Sequence, residues 1–220
     1  MAAESRYQNY NASHVAFKRR LKFSILLIIG GKAMTENQES SGCKPLTWQV
    51  NAENITLDSA FPNGRKWTLY HHDTENKKWT LDTFRKVSTV GTWRQFFELT
   101  GAIDYDTWSR GMFFFMMDPI PPLWENSANI RGGNYSMRVN GTQMIDLFIK
   151  YCVASILGEA TTDELNIVHG IAMTPKKGFF VIKIWNKNCT KYNNPSELTI
   201  LDSILKQGSI IYTPFVEKRM

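Results

Sequence analysis

Cysteine is scarce in this chain: three in 220 residues, Cys43, Cys152 and Cys189, with no CxxC spacing. That argues against a disulfide framework and a cysteine-based zinc site, and it fits a reducing cytosolic or nuclear compartment. Long apolar runs are lacking too. Phe23-Ser24-Ile25-Leu26-Leu27-Ile28-Ile29 follows Lys18-Arg19-Arg20-Leu21-Lys22, but it is far shorter than the roughly 20 residues that cross a bilayer. No membrane association is expected. The segment imitates a secretory signal yet lies too deep for one. Its shortage of acidic residues leaves a mitochondrial presequence open, and the plainer reading is a dispensable extension. Met34, which opens the polar stretch Thr35 to Gly42, is then a candidate true start. Also missing are a P-loop, a dinucleotide-binding glycine pattern and a nucleophile elbow. No cluster of carboxylates suits metal-assisted phosphate chemistry. His71-His72 has no third ligand at metal spacing and reads as a polar strand end. The expectation is a protein with no catalytic residues, no metal and no cofactor.

Basic charge is present but unevenly spread. The net charge is +6, and five of those charges fall in residues 1–33. The rest of the chain is close to neutral, so any phosphate site there must be local. Two parts are expected: an extension over residues 1–44, read as disordered, and one domain over 45–220.

Within that domain, residues 47–57 and 65–72 read as strands, the second with clear alternation in Arg65-Lys66-Trp67-Thr68-Leu69-Tyr70. A polar loop, Asp73 to Lys78, leads to Trp79. Thr89 to Leu99 reads as a helix capped by Ser88 or Thr89. Met112 to Met117 and Asn134 to Val139 read as strands, and Thr142 to Leu157 as a long helix stopped by Gly158. Leu165–Met173 and Phe179–Trp185 read as a hairpin turning at Pro175-Lys176-Lys177-Gly178. A last helix is expected after Asn194, with Pro195 at its first position, Glu197 completing a capping box and Gly208 ending it. Ser209 to Tyr212 closes the series as a strand. Hairpin-ordered strands with three helices predict an α+β fold: an antiparallel sheet with helices on one face.

Three tryptophans stand among polar neighbours: Trp79 after Lys77-Lys78, Trp124 directly before Glu125, and Trp185 at the end of Val181-Ile182-Lys183-Ile184. A tryptophan beside charge, in a loop or at a strand end, suits a flat platform better than a core. Guanine methylated at N7 carries a delocalised positive charge. Between two indoles it gains cation–π attraction on both faces, about 1–3 kcal/mol each. A neighbouring carboxylate accepts from the guanine N1–H and amine, a charged pair of bonds that adenine does not match.

Phe61-Pro62, Trp67-Thr68-Leu69-Tyr70, Trp79, Ser88-Thr89-Val90, Pro122-Leu123-Trp124-Glu125-Asn126 with Arg131-Gly132-Gly133, Leu157-Gly158-Glu159 and Ile182-Lys183-Ile184-Trp185 follow one another in an order that resembles the translation initiation factor 4E family. The resemblance runs from about residue 45 to 212. It implies a curved antiparallel sheet with three helices on its convex face and the 7-methylguanosine cap of mRNA, including hypermethylated forms, on its concave face. Carried over, Trp79 and Trp124 stack on the base, Glu125 reads the guanine edge, and Trp185 touches the methyl group. Arg131, Lys176, Lys177 and Lys183 are the candidates for the phosphates. The resemblance also implies a cytoplasmic or nuclear protein of translation initiation. Its helical face, at Phe61, Pro62, Val90, Trp93, Arg94 and Lys150, would meet a scaffold like initiation factor 4G or other binding proteins.

The chain departs from the family in three places. Asn134 stands where a basic residue usually follows the RGG turn. Arg94 falls where the family has a tryptophan, beside Trp93, and Lys150 where it has an apolar residue. These departures resemble those of divergent kinetoplastid members. They keep a second reading open, a cap-binding repressor that sequesters mRNA without recruiting the usual scaffold.

Overall fold

The computed structural model describes residues 55–215. The extension over 1–44 and most of the strand expected over 47–57 lie outside them. Residues 55–57 are not strand: the Ser59 N–H donates to the Thr56 carbonyl at 3.1 Å and closes a turn.

From Ala60 onward the chain builds one antiparallel sheet of seven strands. In chain order they are β1 (Trp67–His72), β2 (Phe84–Val90), β3 (Met112–Met117), β4 (Gly133–Val139), β5 (Val168–Lys176), β6 (Phe179–Asn186) and β7 (Ile211–Pro214). Across the sheet they run β2-β1-β3-β5-β6-β4-β7. The three α-helices are α1 (Trp93–Ala102), α2 (Tyr105–Arg110) and α3 (Met144–Leu157). The fold is the expected α+β class, a curved antiparallel sheet with three helices.

Strand alternation sorts the apolar side chains onto two faces. On the helix-covered face, Trp67 stacks on Phe115 with ring centroids 5.1 Å apart, Phe96 of α1 meets Phe115, and Trp108 of α2 lies between Phe113 and Phe148 of α3. The other face carries a second cluster: Phe84, Met112, Phe114, Met116, Ala172 and Trp185. With both faces covered, β3 reads Met-Phe-Phe-Phe-Met-Met and buries all but its last residue. α3 is buried almost all round, and Gly158 ends it in the left-handed conformation at φ 78°.

Two helix expectations are corrected. Ser88, Thr89 and Val90 belong to β2, and α1 starts later: the Thr92 side chain accepts from the Gln95 N–H as its N-cap. The β-branched run Val87 to Val90, with Ser88 inside it, pairs with β1 and wins over the helical reading. The helix expected after Asn194 does not form. Its capping box is present, yet it closes only a three-residue 3-10 turn, Pro195–Glu197. Leu198 is buried and bridges to Thr161, and the Thr199 N–H donates to the Ala160 carbonyl. Those tertiary bonds hold the backbone extended where a helix would continue. The third helix is instead α2, capped by Asp104, whose side chain accepts from the Thr107 N–H at 2.7 Å.

Candidate functional site

Trp79 and Trp124 are 49% and 44% exposed, against at most 2% for Trp67, Trp93 and Trp108. Trp79 lies in the β1–β2 connection. One face of its indole is covered by the His72 ring, 4.5 Å away and parallel to within 5°, while Phe84 lies 6.0 Å from it. Phe84 meets Phe114 at 5.2 Å, and Phe114 meets Trp185 at 6.2 Å. An aromatic chain therefore runs from Trp79 to Trp185 across the face opposite the helices.

Trp124 reaches the same face from the β3–β4 connection. Ile120 and Leu123 of that loop pack against the cluster that holds Trp185. The Asn126 N–H donates to the Leu123 carbonyl at 3.3 Å, so Trp124 and Glu125 occupy the middle of a turn, both exposed. No hydrogen bond or ion pair engages Glu125 among the described residues. The loop is held from below by Asn129, which is fully buried and donates to the carbonyls of Pro121 (3.1 Å) and Leu123 (2.8 Å). With both amide hydrogens committed, the Asn129 oxygen is an acceptor. His169 of β5, 3.1 Å away, therefore donates from Nδ1. Burial first, then the charges of Lys187 and Arg65, push the His169 pKa down to about 4. Gly132 is required for a different reason, because a Cβ there would run into the Asn186 carbonyl.

The two platform loops leave opposite ends of neighbouring strands. β1 pairs with β3 so that His72 faces Met112 and Trp67 faces Met117. Trp79 follows the His72 end, and Trp124 follows the Met117 end.

Trp185 is 6% exposed, packed against Phe114 and, at 4.9 Å, against Phe215. Its indole N–H has no hydrogen-bond partner among the described residues. Two residues back, on the same face, Lys183 sits between Ala172 and Ser136. Burial lowers the Lys183 pKa, and the nearby Lys176 ammonium lowers it further. Lys176 stands on the same face at the hairpin end, opposite Phe179. Arg138 was not singled out from the sequence. Its guanidinium carbon is 4.0 Å from the Phe179 ring centroid. The strand period Asn134, Ser136, Arg138 was the signal that could have found it. Lys177 lies exposed in the turn with Gly178. Arg131 lines an open depression of about 680 Å³ with Lys187, Lys191 and Tyr192, and a second one with Ile120, Ala128 and His169. Trp185, Lys183 and Lys176 thus share one sheet face, Trp79 joins it through His72 and Phe84, and the loop that bears Trp124 and Glu125 packs against it through Ile120 and Leu123. Among the described residues, no group of three His, Cys, Asp or Glu side chains is arranged for a metal, and no helix is long and apolar enough to cross a membrane.

On the helical side, Phe61, Val90 and Trp93 are each 2% exposed, with Phe61 edge-on to Trp93 at 5.1 Å. They are buried among the core residues of this side. Pro62 and Lys150 are partly buried, and Arg94 is exposed. Lys150 donates to Asp202 at 2.7 Å and pairs with Asp146 at 2.8 Å.

The profile of the eukaryotic initiation factor 4E family matches residues 62–213. Eukaryotic translation initiation factor 4E of Candida glabrata is 26% identical over 137 residues, 59% of this chain and 65% of that protein. Factor 4E-2 of Schizosaccharomyces pombe is 24% identical over 176 residues, 76% of this chain and 71% of that protein. The chain thus spans about two thirds of the length of these curated relatives. Among solved structures, Caenorhabditis elegans eIF4E-3 in complex with the 4E-binding protein Mextli superposes with a TM-score of 0.51 at 20% identity, over 60% of this chain and 79% of that one. Ascaris suum eIF4E-3 bound to an m2,2,7G cap gives 0.50 at 18%, over 59% and 75%. These structures share the sheet and helices described above. With the family profile covering more than half its length, this chain belongs to the eukaryotic initiation factor 4E family.

Proposed function

We propose that this protein binds the 7-methylguanosine cap of mRNA in the cytoplasm, without catalysis, and acts in translation initiation. One observation carries the reading: two half-exposed indoles, Trp79 and Trp124, and an unpartnered carboxylate, Glu125, border the single sheet face that holds Trp185 and Lys183. In this reading Trp79 and Trp124 stack on the methylated base and Glu125 accepts from its Watson–Crick edge. Trp185 offers an edge to the methyl group, and Lys183, Lys176 and Arg138 neutralise the phosphates. Each stacking face contributes about 1–3 kcal/mol and each charged hydrogen bond about 1.5–3. The gross sum corresponds to micromolar binding before the phosphates are counted.

The test is a tryptophan-fluorescence titration with 7-methylguanosine triphosphate against plain guanosine triphosphate. Strong quenching by the methylated ligand alone is expected, and it collapses in Trp124→Ala and Glu125→Ala. Equal affinity for the two nucleotides would sink the reading.

A second reading, a cap-binding repressor that does not recruit the usual scaffold, is favoured by the helical side. Lys150 occupies a position where the family has an apolar residue, and it is tied down by Asp146 and Asp202. Recovery of an initiation factor 4G-like scaffold together with this protein on cap resin would remove that reading. Its absence, with cap binding intact, would favour it.

A further inference from the structure

His72 is fully buried, and every part of its ring is engaged. Nδ1 lies 2.8 Å from the Asp73 carbonyl and Nε2 lies 2.9 Å from the Lys78 carbonyl. These carbonyls belong to the first and last residues of the polar loop that runs from β1 to Trp79. Both are acceptors, so either neutral tautomer of the ring ties down one end of the loop, and the doubly protonated ring ties down both. The flat of the same ring lies parallel beneath the Trp79 indole, while Phe84 packs against it at 4.7 Å. The loop adds its own bonds: Asn76 N–H to the Asp73 carbonyl, Lys78 N–H to the Asn76 side chain, and the Thr83 hydroxyl to the Lys78 carbonyl.

An indole on a surface loop would normally sample many orientations, and ordering it costs conformational entropy when a ligand binds. Here the neighbour that clamps the loop is also the neighbour that covers one indole face, leaving the opposite face open. We propose that His72 is the positioning residue that presents Trp79 as a fixed platform, by tying the Asp73–Lys78 loop and stacking under the indole. The proposal rests on the cap-binding reading for the identity of the ligand. The presentation of Trp79 itself does not depend on it.

The experiment has two arms. In ligand-free protein, the emission of Trp79 is obtained as wild type minus Trp79→Phe, and the same difference is taken in the His72→Ala background. Loss of the stack shifts the Trp79 emission to the red and lowers its anisotropy; an unchanged difference spectrum overturns the proposal. In the second arm, 7-methylguanosine triphosphate is titrated into wild type, His72→Ala, His72→Phe and Trp79→Ala. His72→Ala weakens binding roughly tenfold. His72→Phe, which keeps a flat ring without an N–H donor, recovers part of that loss. The phenylalanine variant also refills the buried site, so the comparison survives if the alanine variant does not fold. Wild-type affinity in His72→Ala, alongside loss in Trp79→Ala, overturns the proposal. Unchanged binding in Trp79→Ala counts against the cap reading, and the ligand-free arm still decides the role of His72.

Discussion

Lys183 is a partly buried ammonium between Ala172 and Ser136, with a second ammonium, Lys176, close by. Desolvation and like charge both disfavour its charged form, and an anion bridging the two lysines relieves both at once. Lys183→Met is therefore expected to weaken 7-methylguanosine triphosphate about tenfold while leaving the 7-methylguanosine nucleoside unaffected. Parallel titrations of the two ligands check this, and equal losses would remove Lys183 from the phosphate site. The exposure of Trp79 and Trp124 was legible in the sequence at this scale because a tryptophan beside lysine or glutamate is a poor core residue. Trp185 was only half legible: its place in β6 was clear, but its burial under Phe215 depends on a residue thirty positions away. His72 read as an idle strand end, since nothing local reveals that two carbonyls and an indole converge on it. For Phe61, Val90 and Trp93 the sequence could not decide between core and partner surface, because an apolar position looks the same whether its neighbours cover it or not.

The β3–β4 connection, which bears Trp124, rests on a buried pair, Asn129 and His169. The His169 pKa is depressed to about 4, so its neutral form is favoured in the folded state. The resulting stability is fully present above the unfolded histidine value near 6.5 and is lost as pH falls from there toward 4. The whole shift corresponds to about 3 kcal/mol. Thermal unfolding of the wild type should show a falling Tm across that window, and a His169→Gln variant should show a flatter profile. A wild-type profile as flat as the variant's would mean that His169 does not couple the loop to acid. Sequence signals at this scale succeeded where they were local, as with the strand Met112–Met117 and the helix ended by Gly158. They failed where distant partners decided the outcome. The Asn194–Glu197 capping box is real, but the Glu197 carboxylate also accepts from the Tyr135 hydroxyl at 3.0 Å. A motif that usually starts a helix here fastens a connecting segment to the sheet.

The order of the strands across the sheet was not readable from the chain, although their antiparallel class was, because pairing between β3 and β5 or β6 and β4 is a choice among equally apolar partners. That order has a mechanical result. The two indole-bearing loops spring from opposite ends of the adjacent strands β1 and β3, which lie about 17 Å apart along a six-residue strand. Anything held between the indoles acts as a clasp, adding a direct link between two loops that otherwise meet through the aromatic cluster and the sheet. Occupied at a hundred times its Kd, such a clasp adds about 2.7 kcal/mol to the unfolding free energy. Amide exchange should then slow together at Asp73–Lys78 and at the turn around Trp124. Slowing at one loop alone would mean the ligand hangs from a single hook. If both loops slow together, whatever is held there is fastened toward both ends of the sheet, and its release requires both loops to yield.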